Sequence, residues 1–127
     1  MVGIFKRLAW ISYRVSDWQR AKKFYGETLG LPVAAFFGDE AGWMEFGEKH
    51  DVHLAIGLWR GPGPFPRVSD SGVIAVFEVD DAYKAVEELR KKGVQCGDVV
   101  PIPKMVTYAD FYDPDGNRLQ VAGPAPD

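Results

Sequence analysis

The chain has 127 residues, 46% of them hydrophobic and 26% charged, with a formal net charge of −3. That size and balance fit one folded globular domain, residues 1–127, and exclude wholesale disorder. No Lys/Arg cluster marks nucleic acid or an anionic membrane as the main partner, and the longest apolar run, Leu31–Phe37, is far too short to span a bilayer.

Met1–Val15 has no long apolar core ahead of a small-residue cleavage site, so it does not read as a signal peptide. Leu8–Val15 reads as a strand. Alternation puts Trp10, Ser12 and Arg14 on one side and Ile11, Tyr13 and Val15 on the other, the second set under the helix that follows. Ser16 or Asp17 can cap that helix, and Ser16 with Gln19 also fits a capping box. Trp18, Ala21, Phe24, Tyr25, Thr28 and Leu29 recur at helical spacing, and Gly30 supplies the turn that ends the run. Three short strands follow, Pro32–Phe37, Trp43–Phe46 and Val52–Leu58, with turns at 38–42 and 47–51. The segment 61–71, rich in Gly and Pro, suits a stiffened crossing linker.

The second half repeats this order. Val15 aligns with Val79, Asp17 with Asp81, Arg20 with Lys84 and Ala21 with Ala85. Asp80 or Asp81 caps a helix whose apolar stripe is Ala82, Ala85, Val86 and Leu89, and Gly93 stops it. Its Glu87-Glu88 and Arg90-Lys91-Lys92 form a solvated face, with the cations at the favourable end of the helix dipole. Strands are expected at Val94–Pro101, Met105–Tyr112 and Arg118–Ala122. The run Asp113-Pro114-Asp115-Gly116-Asn117 is a strong turn signal between the last two. A single cysteine, Cys96, excludes an internal disulfide framework, cannot alone hold a zinc, and fits a reducing cytoplasm. With no evident base beside it, its thiol reads as buried or incidental.

The fold class expected is therefore α+β. Two βαβββ modules, about 8–60 and 72–123, are joined by the linker at about 61–71. Each module has a sheet with its helix on one face. Two such halves can pair into a half-open barrel with a cleft between the free faces, the natural place for a small ligand.

The residues that carry this pattern resemble a known family. Arg14-Val15-Ser16-Asp17, then Ala21-Lys22-Lys23-Phe24-Tyr25 and Leu29-Gly30-Leu31, resemble the opening of the vicinal oxygen chelate superfamily. Phe111-Tyr112-Asp113-Pro114-Asp115-Gly116-Asn117-Arg118-Leu119-Gln120 resembles its closing signature. The superfamily holds glyoxalase I, bleomycin resistance proteins, fosfomycin resistance enzymes and extradiol dioxygenases. The resemblance implies paired βαβββ modules, and homodimers are common among its single-domain members. It also implies four metal-ligand positions on the first and last strands of the modules, usually His, Glu or Gln. Here those positions carry Trp10, Ile74, Ala55 or Gly57, and Gln120. Only Gln120 offers a donor, so a divalent metal on three or four side chains is not expected. His53 shares a strand face with Ala55 and Gly57, and could meet Gln120, with Glu78 or Glu45, in an unusual site.

Trp10, in a position that relatives give to a metal, either stacks on a flat or hydrophobic ligand or plugs an idle cleft. Arg14 and Glu78 face the cleft by alternation and by the repeat. Arg14 either holds a ligand carboxylate or phosphate or pairs with Glu78. Trp43, Trp59, Phe46 and Tyr108 are candidates for an aromatic wall or for core. The expected ligand-binding residues are Trp10, Arg14, His53, Glu78 and Gln120. The expected protein is a cytoplasmic, homodimeric binder of an amphipathic organic molecule, with no metal and no cofactor. The alternatives are a divergent metal-dependent lyase, isomerase or dioxygenase with its site near His53 and Gln120, and an accessory module acting through protein contacts.

Overall fold

The computed structural model describes residues 3, 4, 6–65 and 73–126. The chain falls into two compact units that divide between Gly63 and Pro64. Residues 66–71 of the expected linker lie outside the described residues, and 61–65 form no regular element. No helix among the described residues is long and apolar enough to cross a membrane.

The first unit runs β1 (Trp10–Val15), α1 (Trp18–Lys22), a π-helical segment (Lys23–Thr28), β2 (Val33–Phe36), β3 (Trp43–Phe46) and β4 (His53–Leu58). Its sheet has the order β1-β4-β3-β2, with β1 parallel to β4 and the other pairs antiparallel. Asp17, rather than Ser16, caps α1, accepting from the Arg20 amide at 3.1 Å. The helix differs from the expected single α-helical run. From Lys23 it widens, and the Leu29 amide bonds the Phe24 carbonyl at 2.8 Å. The wider turn accommodates two adjacent aromatics, Phe24 and Tyr25, both buried. Gly30 follows with φ of 69°, as expected of the stop.

Alternation along β1 is as read. Tyr13 and Val15 are buried, while Trp10, Ser12 and Arg14 are exposed. The core joins Tyr13, Val15, Phe46, Leu54 and Ile56 of the sheet with Trp18, Ala21, Phe24 and Tyr25 of the helix. Tyr25 stacks on Phe46 with ring centroids 6.0 Å apart. Phe46 is thus core and not part of an aromatic wall. The loop after β2 is tied back to the helix, because Trp18 Nε1 and Lys22 Nζ both donate to Asp39 Oδ1, at 2.8 and 2.6 Å.

The second unit runs β5 (Ala75–Glu78), α2 (Ala82–Lys91), β6 (Val100–Ile102), β7 (Val106–Tyr112) and β8 (Arg118–Gly123). Its sheet order, β5-β8-β7-β6 with β5 parallel to β8, repeats the first. Asp81, rather than Asp80, caps α2 and accepts from the amides of Tyr83 and Lys84. The expected stripe faces inward, with Ala82 and Val86 buried and Ala85 and Leu89 half-buried. The strand expected at Val94–Pro101 is interrupted. Cys96 makes one isolated bridge with Phe111, and regular pairing begins only at Val100. Asp113 organises the last turn: its carboxylate accepts from the amides of Asp115 and Asn117 and from Asn117 Nδ2.

Candidate functional site

Strand register assembles a surface on the face of the first sheet opposite its helix. Pairing of β1 with β4 sets Trp10 beside His53, Ser12 beside Ala55 and Arg14 beside Gly57. Pairing of β3 with β4 sets Trp43 beside Gly57 and Glu45 beside Ala55. Paired residues project to the same side of a sheet, so Trp10, Ser12, Arg14, Trp43, Glu45 and His53 share one face.

Trp10, 49% exposed, meets Trp43 edge-on, with centroids 6.2 Å apart and planes at 75°. The Arg14 guanidinium lies over the Trp43 ring, 5.4 Å from its centroid, and its Nη1 reaches Ser12 Oγ at 3.3 Å. Such a cation–ring contact at a half-open site is worth about 0.5–1 kcal/mol. Gly57 makes it possible, because a β-carbon there would fall 2.9 Å from Arg14 Nη1 and from two Trp43 ring atoms.

Beside the aromatic pair is a polar one. Trp43 Nε1 donates to Glu45 Oε2 at 3.0 Å. His53 Nδ1 is 3.0 Å from Glu45 Oε1, and His53 Nε2 is 3.1 Å from the Glu48 carbonyl oxygen. Both partners of the imidazole are acceptors, so the cationic ring satisfies both and the neutral ring one. The His53 hydrogen bond first, and the Trp43 indole second, hold the Glu45 carboxyl below the usual carboxylate range, against partial burial. A group lowered in this way gives stability that is complete above its unfolded pKa and lost as pH falls through its folded pKa. An acid titration of the Glu45 side-chain carbonyl carbon by NMR should therefore place its midpoint below that of an ordinary glutamate. A midpoint in the ordinary range would contradict the hydrogen-bonded geometry.

The second module has its own open face. Val76 pairs with Gln120 and Glu78 with Ala122, and β7 adds Tyr108 and Asp110 to the same side. Glu78 is exposed. Gln120 Nε2 donates to Asp110 Oδ1 at 2.8 Å, and Arg118 Nε approaches the same oxygen at 3.9 Å. An open hollow of about 500 Å3 borders Glu78, lined also by Val76, Val106 and Ala122.

The structure thus groups Trp10, Arg14 and His53 on one module and Glu78 and Gln120 on the other. Residue chemistry does not fit the metal implied by the resemblance. Trp10, Ile74, Ala55 and Gly57 have no ligating atom, and both His53 nitrogens are committed to oxygen acceptors. Among the described residues no group of three His, Cys, Asp or Glu is placed to hold an ion. Burial raises the Cys96 thiol, which opposes nucleophilic use. Two residues gain roles that sequence reasoning missed. Glu45 had entered only as a stray metal partner, although a Trp and a Glu two apart on one strand, facing a histidine strand, signal a bonded cluster. Gly57 had entered only as an empty ligand position.

Comparison with known proteins agrees with the architecture. Residues 7–121 match the Glyoxalase/Bleomycin resistance protein/Dioxygenase superfamily. YetH of Bacillus subtilis (strain 168) is 28% identical over 122 residues, covering 90% of this chain and 95% of that protein. TnmS3, an antibiotic binding protein from Streptomyces sp. CB03234, superposes with a TM-score of 0.77 at 27% identity, covering 98% of this chain and all of that one (100%). A glyoxalase/bleomycin resistance protein, also from Streptomyces sp. CB03234, gives 0.69 at 29% identity, covering 91% of this chain and 98% of its own. With the repeated βαβββ order and a family match over nearly its whole length, the chain belongs to the Glyoxalase/Bleomycin resistance protein/Dioxygenase superfamily.

Proposed function

We propose that this chain is a metal-independent small-molecule-binding protein, and that it takes an amphipathic organic ligand on the open face bearing Trp10, Arg14 and His53. The observation that carries this reading is the Trp10–Trp43 pair, a half-exposed indole set edge-on against a second that lies beneath a guanidinium. Aromatic rings give large contact area at little entropic cost, and a guanidinium beside them suits a carboxylate or phenolate. Likeness to an antibiotic binding protein along nearly the whole chain supports binding over catalysis. Glu78 and Gln120 are the candidate polar contacts on the second module's own face.

A flat aromatic carboxylate, 2-naphthoate, is a direct probe, read by quenching of tryptophan fluorescence. Trp10→Ala should weaken its binding by about tenfold, roughly 1.4 kcal/mol, the scale of one lost aromatic contact and its buried area. Equal affinity in wild type and Trp10→Ala would remove this face as the binding site. Activity that requires added zinc, iron, nickel or manganese and disappears in His53→Ala would replace binding with the metal-dependent alternative.

A further inference from the structure

We infer that Glu45 is a positioning residue of this face: its carboxylate ties the Trp43 indole to His53 and so sets the plane on which the ligand rests. The inference depends on the binding reading above and identifies what holds that surface in shape.

The two oxygens of Glu45 are divided between two partners. Oε2 accepts from Trp43 Nε1 and Oε1 faces His53 Nδ1, each at 3.0 Å. Beyond His53 the connection continues to the Glu48 carbonyl, in the turn that follows β3. Gly47 leaves room for the imidazole, since a β-carbon there would lie 3.1 Å from His53 Cδ2. A relay therefore runs from the 48 carbonyl through His53 and Glu45 to Trp43. At its far end the same indole carries Trp10 on its edge and Arg14 on its face.

An indole on an open sheet face has several staggered rotamers within reach. One hydrogen bond at Nε1 selects among them, and it is stronger for having an ionised acceptor. Glu45 is itself mostly covered, with 12% of its side chain exposed, so its carboxylate does not wander. Pre-organising a binding surface raises affinity by removing the ordering cost from the binding step.

The test combines three variants with two readouts, indole N–H resonances and 2-naphthoate affinity. Trp18 is an internal reference in the same module, because its Nε1 donates to Asp39 and takes no part in the relay. In Glu45→Ala the Trp43 indole resonance should move and exchange faster with solvent, while that of Trp18 stays. Naphthoate affinity should fall about tenfold, by loss of pre-organisation. Glu45→Gln should restore both. Its amide oxygen can accept from Trp43, and its amide nitrogen can donate to a neutral His53 that keeps its proton on Nε2 for the Glu48 carbonyl. The third variant, Trp10→Ala, separates the two ideas.

If Trp10→Ala weakens binding but Glu45→Ala binds as wild type, the positioning role is overturned and the binding face stands. If the Trp43 resonance is unmoved in Glu45→Ala, the positioning role is overturned whatever happens to affinity. If Glu45→Gln fails alongside Glu45→Ala while Trp18 is unmoved in both, the carboxylate acts by charge and the positioning role is overturned. If neither Trp10→Ala nor Glu45→Ala alters affinity, the binding face falls and the inference falls with it.

Discussion

Phe46→Ala is expected to remove about 3–5 kcal/mol of folding stability, the cost of deleting a large ring from a core that cannot close around the gap. Phe46 is 1% exposed. Its ring stacks on Tyr25, and a β-carbon added at Gly26 would lie 3.8 Å from it, in ordinary packing contact. It also sits on the strand whose opposite face carries Trp43 and Glu45, paired with Leu54 of β4. The substitution therefore separates helix from sheet at the point where the binding face is anchored from below. Urea unfolding should show a lower midpoint with little change in slope, and the thermal midpoint should drop by about 10 °C or more. Phe46→Leu, which keeps most of the volume, should cost about 1.5 kcal/mol or less. A loss in Phe46→Ala no greater than in Phe46→Leu would mean that the ring is not packed as described.

The helix that Phe46 supports shows how far the sequence could be read. Its start was legible because Ser and Asp are the residues that can accept from free amides at a helix N-terminus. Which of the two caps was not, since Ser16 and Asp17 both have the chemistry and only backbone geometry selects Asp17. The widening after Lys22 was hidden for a related reason. Phe24 and Tyr25 stand at i+3 and i+4 from Ala21, so an ordinary α-helix already puts both on the inner face, and the residue pattern carries no sign of the wider turn in which both are buried. In the second half, Val94–Pro101 has the composition of a strand, but its pairing with β7 is set by where β7 presents free edge groups. The Gly97 amide donates to the Asp110 carbonyl and the Tyr112 amide to the Gln95 carbonyl, and the ladder resumes only at Val100.

The site divides in the same way. Period-two alternation on β1 was enough to bring Trp10 and Arg14 to one face and to put Tyr13 and Val15 beneath. Alternation along β4 grouped His53 with Ala55 and Gly57 but left open whether that group shares the face of Trp10, which the pairing of Trp10 with His53 decides. What alternation cannot supply is cross-strand register. The meeting of Glu45 with His53 depends on the length of the 47–51 turn, and the hold on His53 Nε2 comes from a backbone carbonyl, which carries no residue-type signal. For the same reason Gly57 could be read only as a position lacking a donor, because its use is defined by where two distant side chains lie.

Gly57→Val is accordingly the substitution expected to damage binding most. The new β-carbon would meet Trp43 Cε3 and Cζ3 at 2.9 Å, and Arg14 Nη1 at the same distance. Arg14 can swing its end aside at little cost. Trp43 cannot move without surrendering its bond to Glu45 and its edge contact with Trp10. Valine suits a central strand, so strand preference does not work against the variant. Overpacking of this kind costs about 1–3 kcal/mol of stability, and 2-naphthoate affinity should fall by more than about tenfold as the indole leaves its plane. The cause can be isolated by placing Gly57→Val in a Trp43→Ala background. With the ring gone there is nothing rigid to displace, so the stability penalty of the valine should largely vanish, a coupling of about 1 kcal/mol or more between the two positions. Additive losses would instead mean that valine at 57 strains the strand itself. Unchanged affinity in the single variant would mean that the ligand does not rest on the plane of Trp43.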